Sequence, residues 1–293
     1  MRIVEPIAFT SIADITNNIE YYSNMIIDNK IVCFRDAYLS VEDQDLVRKT
    51  FGDYFNWYPK TSDSGDIQEK YLENHSRLNL NKDNSDKDQV IIGWHIEHTD
   101  YNIPIVASFW NMIKFSADPE TGKTLFVDTS EVYDNLSDEW KDFLNKSKYC
   151  SSRFNYTTEA NYTSFIKPAV SNHWWIDKKV VRLDLTHIDN ANNDDYLYEF
   201  DGREPTDSEK AKFLKIREHI IDTIIFNNKD IVYVHKWKEG DLLVSDLFVL
   251  AHTITGGFNP EDREFVGMWA RDSYHINRDG CDWQHSGLKN NEA

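Results

Sequence analysis

Between Val90 and Arg271 the chain carries seven short apolar runs, VIIGWHI, IVASFWNMI, KTLFVD, KVVRLDL, DIVYVHKW, DLLVSDLFVL and REFVGMWAR, several of them bounded by Gly, Pro, Asn or Asp. Runs of this length, rich in β-branched and aromatic residues, read as strands. A chain with so many of them has to build its core from sheets. Two helical patterns interrupt the series, at 130–146 and 206–228, and the second opens with Thr206 and Glu209 spaced as a capping box. With those helices packed outside the sheets, the expected architecture is a β-rich α+β fold: a double-stranded β-helix (jelly-roll) core with flanking helices.

The N-terminal part follows the same logic. Apolar positions at Ile12, Ile15, Ile19, Tyr22, Met25 and Ile26 predict a helix over 12–29, and IVCF at 31–34 a buried strand. Ser40 and Asp43 open a second helix that Gly52 is expected to close. Residues 60–88 are polar and charged, which predicts a long surface loop with a short strand around Leu78 to Leu80, a candidate lid over a site. Without a repeat or a Pro/Gly/Ser linker, residues 1–293 are expected to form a single domain.

Hydrophobic residues make up 40% of the chain and aromatics 14%, enough to bury a core and too many for a disordered protein. The 32 Lys and Arg against 50 Asp and Glu give a formal charge of −18, with no basic stripe to follow phosphates. The expected partner is a small molecule, not nucleic acid or a membrane, and homo-oligomer formation stays open. No apolar run approaches a bilayer span and the N-terminus lacks the pattern of a secretory signal, so a cytoplasmic location is expected. Cys33, Cys150 and Cys281 are odd in number and widely spaced, and read as buried reduced thiols.

Chemistry concentrates in Gly93-Trp94-His95-Ile96-Glu97-His98-Thr99-Asp100. Strand alternation turns His98 and Asp100 to one face. One imidazole, one carboxylate and a distant histidine form a facial triad for non-haem Fe(II), which leaves three coordination positions for co-substrate and oxygen. His252 ends the run WKEGDLLVSDLFVLAH and supplies the distant histidine. Eleven residues later stands Arg263, whose fixed positive charge and forked donors suit a carboxylate of 2-oxoglutarate.

In this order the motifs resemble the taurine dioxygenase-like family of Fe(II)/2-oxoglutarate oxygenases over most of the chain. IVCFRDAYLSVEDQDLVRKTFGDYF at 31–55 is similar to the family's opening strand and helix, and HTD at 98–100 to its first two iron ligands. TGKTLFVDTSEVYDNLSDEW at 121–140 resembles its Gly-x-Thr-x-Phe-x-Asp segment and the helix that follows, KPAVSNHWWIDKKVVRL at 167–183 its central region more loosely, and Pro260 to Arg263 its Pro-x-x-Arg. Leu247 departs from the Asn that the family commonly has after Asp246. The resemblance implies iron on His98, Asp100 and His252, with Thr124 and Arg263 on 2-oxoglutarate. It also implies a dioxygenase using O2 that oxidises, most simply hydroxylates, a small polar molecule such as an amino acid or organic acid, releasing succinate and CO2. Desaturation, cyclisation and bond cleavage share the same early steps, and Asp100 disfavours halogenation.

His95 is assigned to packing or substrate contact because only His98 makes H-x-D, and Asp246 to orienting its surroundings. Arg271, Trp94, Asn102 and His75 are candidate substrate-binding residues, Arg271 because it shares the strand parity of Arg263. The competing readings are a non-catalytic metal or small-ligand binding protein on the same scaffold, and a zinc hydrolase, which would give Thr124 and Arg263 no task.

Overall fold

The structure is a computed structural model that describes residues 5–55, 90–96, 105–153, 163–173, 175–183, 185, 196–225, 228–259, 262–271 and 284–285. Along the described chain the strands are β1 (Ile7–Ala8), β2 (Ile31–Arg35), β3 (Val90–His95), β4 (Ile105–Phe115), β5 (Thr124–Asp128), β6 (Ser147–Arg153), β7 (Thr163–Pro168), β8 (Val170–Asn172), β9 (Lys179–Val181), β10 (Tyr196–Phe200), β11 (Val232–His235), β12 (Leu242–Asp246), β13 (Leu250–Thr255), β14 (Arg263–Arg271) and β15 (Gln284–His285). The helices are α1 (Ile12–Asn17), α2 (Ile19–Asn29), α3 (Val41–Phe55), α4 (Thr129–Asn135), α5 (Asp138–Asn145) and α6 (Asp207–His219).

Two sheets position the site. The first runs β1-β2-β12-β4-β14 and the second β11-β5-β13-β3. Period-two alternation divides their side chains between three apolar layers. Cys33, Trp110, Met112 and Leu243 of the first sheet share one cluster with Phe126 and Leu250 of the second, so those faces look at each other. Val32, Phe34, Phe109 and Val244 turn the other way and pack on α1 to α3 through Ile15, Ile26, Val47 and Phe51. Trp94, Val127 and Ala251 leave the second sheet's outer face and pack on α4 to α6 through Val132, Phe143 and Phe213. The result is a mixed α/β architecture with helices outside two facing sheets.

Several helix boundaries depart from the sequence reading. The helix expected over 12–29 is two helices: Asn18 breaks it, its amide donating to the Asp14 carbonyl and carboxylate. Asparagine competes in this way with the ladder it stands in. Gly52 does not end the second helix, which continues to Phe55. Phe51 and Phe55 lie one turn apart and both are buried, Phe55 with its ring 4.3 Å from that of Trp175. Burying a phenylalanine is worth about 1.5–3 kcal/mol, against about 1 kcal/mol for glycine in a helix. The helix over 130–146 is split where Ser137 caps α5 anew. The pattern over 206–228 starts at the expected capping box and passes into a π-helical turn at Ile220–Ile225.

The run DLLVSDLFVL divides into β12 and the start of β13, joined by a turn that Asp246 holds through the Phe248 amide (3.1 Å). A second group of strands, β10-β6-β7-β15, has no counterpart among the apolar runs, because SKYCSSR and TSFIKP mix polar and apolar residues without a clear period. Cys33 and Cys150 are buried free thiols, while Cys281 and the 60–88 segment with its expected strand lie outside the described residues. No described helix is long and apolar enough to cross a membrane.

Candidate active site

An inner strand of the second sheet, β13, carries His252. Its cross-strand partners are Phe126 on β5 and His95 on β3. The His252 ring stands 4.2 Å from the His95 ring, 5.1 Å from Trp110 and 5.8 Å from Phe126. Alternation explains the grouping. Ala251, Val127, Trp94 and Ile96 all turn to the helix side, so the residues between them, His252, Phe126 and His95, turn inward toward the first sheet.

The His95 ring is oriented from behind. Its Nδ1 lies 2.8 Å from the Gly93 carbonyl, which only accepts, so Nδ1 carries the proton and Nε2 the lone pair in the neutral ring. Metal-binding imidazoles are commonly held in this way by a backbone carbonyl.

A second buried element adjoins this face. Arg263 opens β14 and is 4% exposed, its guanidinium carbon 5.3 Å from the Phe265 ring centroid, 5.5 Å from Phe258 and 5.8 Å from Trp237. The Trp237 indole N–H donates to Thr124 Oγ1 at 2.8 Å, and Thr124 pairs with Ile254 two residues beyond His252. The turn before Arg263 is fixed by Asp262, whose carboxylate accepts from the Asn259 side chain at 2.9 Å and the Ser116 hydroxyl at 3.0 Å. Those hydrogen bonds, Asn259 first, hold the Asp262 carboxyl below its ordinary range. A guanidinium walled by three aromatic rings, one of them bonded to a threonine hydroxyl, suits one carboxylate of a small diacid.

Asp246 anchors the turn ahead of His252. Its Oδ2 accepts from His173 Nε2 at 2.8 Å, and His173 Nδ1 accepts the Trp175 amide at 3.1 Å. Its own amide donates to the Lys30 carbonyl at 2.8 Å, while Leu247, buried beside it, donates its amide to the Val106 carbonyl. The loop from 246 to 250 is thereby tied to α2, β4 and the segment around residue 173 at once.

Of the residues singled out in the sequence, His252, Thr124 and Arg263 come together on the inner face. Trp94 does not: at 2% exposure it belongs to the cluster beneath the helices, on the face opposite His252, which corrects its assignment as pocket lining. His98, Asp100, Asn102 and His75 lie outside the described residues. Arg271 ends β14 on the parity of Arg263, and its side chain lies outside the described residues. Trp110 and Trp237 were not assigned to the site, and His95 was assigned to packing or substrate contact, not to the metal. A count of alternation back from His95 to the apolar Trp94 and Ile96 is the signal that points to this imidazole.

Residues 13–269, most of the chain, match the family described as taurine catabolism dioxygenase TauD, TfdA family. No curated protein matches. Among solved structures, AAD-2 in complex with Mn(II) and N-oxalylglycine is 16% identical with a TM-score of 0.61, over 92% of this chain and 94% of that one. A taurine dioxygenase from Burkholderia xenovorans is 15% identical with a TM-score of 0.61, over 92% and 90%. At these identities the likeness is one of fold, and the match along the sequence carries the assignment: this chain belongs to the TauD/TfdA family of dioxygenases.

Proposed function

We propose that this dioxygenase oxidises a small polar molecule, such as an amino acid or organic acid, most simply by hydroxylation, with release of succinate and CO2. Membership of the family makes the chain a 2-oxoglutarate-dependent dioxygenase that uses Fe(II) and O2. The observation that carries the site is the pairing of two inward imidazoles, His95 and His252, beside the aromatic-walled Arg263. The donor set fits the group: imidazoles on adjacent strands suit iron, and the guanidinium suits the distal carboxylate of the co-substrate. Bound iron supplies the activation of oxygen, coupled to decarboxylation of 2-oxoglutarate.

Two consecutive runs compete to complete the metal site, His95-Ile96-Glu97 and His98-Thr99-Asp100. His252 is common to both. The cross-strand pairing favours the first, since it sets the His95 ring beside that of His252. In this reading His95, Glu97 and His252 hold iron, Arg263 and Thr124 orient 2-oxoglutarate, and Arg271 meets an anionic group of the substrate. The two facing sheets read as the halves of a jelly roll.

Succinate release and Fe(II) binding, measured anaerobically and then with oxygen over a panel of amino and organic acids, test the reading. His252→Ala abolishes both. His95→Ala and Glu97→Ala each lower turnover by more than the roughly 10–100-fold typical of residues behind the ligands, while His98→Ala and Asp100→Ala keep Fe(II) binding. The opposite pattern returns the metal to His98 and Asp100.

A further inference from the structure

Behind the Arg263 pocket, three elements distant in sequence bring a thiol, an imidazole and a carboxylate together. Cys33 in β2, His235 at the end of β11 and Asp241 just before β12 each offer one donor atom, and the three atoms lie within 4.8 Å of one another. All three residues are buried. Asp241 commits Oδ2 to Arg35 Nη1 and to the Lys238 amide, both at 2.8 Å, and its buried Oδ1 makes no hydrogen bond. His235 Nδ1 lies 3.2 Å from the Tyr233 hydroxyl, while Nε2, 3.6 Å from Asp241 Oδ2, makes none. Two buried polar atoms from separate segments are thus left without hydrogen bonds on side chains that meet a buried thiol, an arrangement that costs free energy unless a proton or a cation lies among them.

We propose that Cys33, His235 and Asp241 bind a single divalent cation of the zinc(II) type at a site separate from the one at His252. The donor chemistry chooses the class: thiolate and imidazole suit borderline-soft ions, whereas magnesium and calcium require oxygen. Around a tetrahedral ion such donors stand roughly 3.5 Å apart, so the side chains close in by about 1 Å on binding. The charges suit as well. The thiolate and the carboxylate offset the dication, and Arg35 keeps the Asp241 oxygen that it already holds. On binding, the Cys33 S–H bond breaks, its proton leaves to solvent and a sulfur–metal bond forms, with no change of oxidation state. Burial pushes the Cys33 thiol up, so the proton stays until a cation displaces it. Burial also lowers His235, with Asp241 opposing and Arg35 and Arg263 adding to the effect, which disfavours a protonated imidazole as a substitute for the cation. The His235 ring lies 4.4 Å from that of Trp237, the donor to Thr124, so a filled site braces the carboxylate pocket from behind.

The site shares no residue with the one at His252 and is tested apart from it. Full-length His252→Ala protein is stripped with chelator and titrated anaerobically with Co(II). One equivalent binds, with a thiolate-to-cobalt charge-transfer band that nitrogen and oxygen ligands alone do not give. Cys33→Ser in that background removes the band and weakens Co(II) at least about 100-fold, with circular dichroism as the check on folding; Cys150→Ser and Cys281→Ser leave it intact. If Cys33→Ser does not fold, His235→Asn reads the same affinity loss with the thiol in place. Absence of the band in His252→Ala, its survival in Cys33→Ser, or unchanged affinity in His235→Asn overturns the proposal.

Discussion

At the scale of single residues, the site depends on a few side chains held from behind. The Trp237 indole fixes the Thr124 hydroxyl and its ring flanks Arg263. Trp237→Phe keeps the aromatic wall and removes one hydrogen bond, worth about 0.5–1.5 kcal/mol. The expected outcome is a KM for 2-oxoglutarate raised about 2- to 10-fold with kcat little changed. A steady-state comparison of the two parameters checks it. Asp246 offers a sharper case because two donors, His173 Nε2 and the Phe248 amide, take its two oxygens. Asparagine has a single acceptor oxygen, so Asp246→Asn sets an NH2 group against one of those donors. A loss of about 1–3 kcal/mol in denaturant unfolding is expected, with His252 no longer held in place by the turn before it.

At the scale of elements, helix ends are written locally and helix lengths are decided by packing. The Thr206–Glu209 box caps α6 as its sequence demands. Arg203 and the Thr206 amide hold the Glu209 carboxyl down at about 2, below its ordinary 4.5. A depressed folded value means that the contribution is present above 4.5 and is lost as pH falls through about 2. Glu209→Gln is therefore expected to flatten the dependence of melting temperature on pH in that window and to leave it unchanged at neutral pH relative to the slope of the parent. Gly52 in α3 shows the converse. Nothing lies within 4 Å of an added Cβ there, so Gly52→Ala is expected to stabilise the protein by about 0.5–1 kcal/mol, read as a raised denaturation midpoint. A lowered midpoint would mean that the helix does not run through residue 52.

Across the whole molecule, the inner layer between the two sheets carries packing and chemistry together, whereas the outer layers carry packing alone. Phe126 is fully buried in the inner layer with its ring 5.8 Å from His252. Trp94 is buried under the helices. Phe126→Ala and Trp94→Ala are each expected to cost about 3–5 kcal/mol by leaving a cavity. Fe(II) affinity separates them: it falls with Phe126→Ala, which frees the His252 ring, and holds in the folded fraction of Trp94→Ala. Equal losses of affinity would remove the distinction between inner and outer faces.

The sequence by itself determined much of this protein. Its apolar runs locate β3, β4, β5, β11, β12, β13 and β14, its polar caps start α3 and α6, and the order of Thr124, His252 and Arg263 points to the family's chemistry. These features are local, and local patterns record them. Tertiary structure decided what no local pattern holds. Alternation can be counted along β3 from its sequence, but only the pairing of β3 with β13 says that His95 meets His252. The same reason hides β6 and β7, whose partners rather than their composition make them strands. It also hides the meeting of Cys33 with His235 and Asp241, about two hundred residues away along the chain: the pairing of β12 with β2 brings in Asp241, and the facing of the two sheets brings in His235.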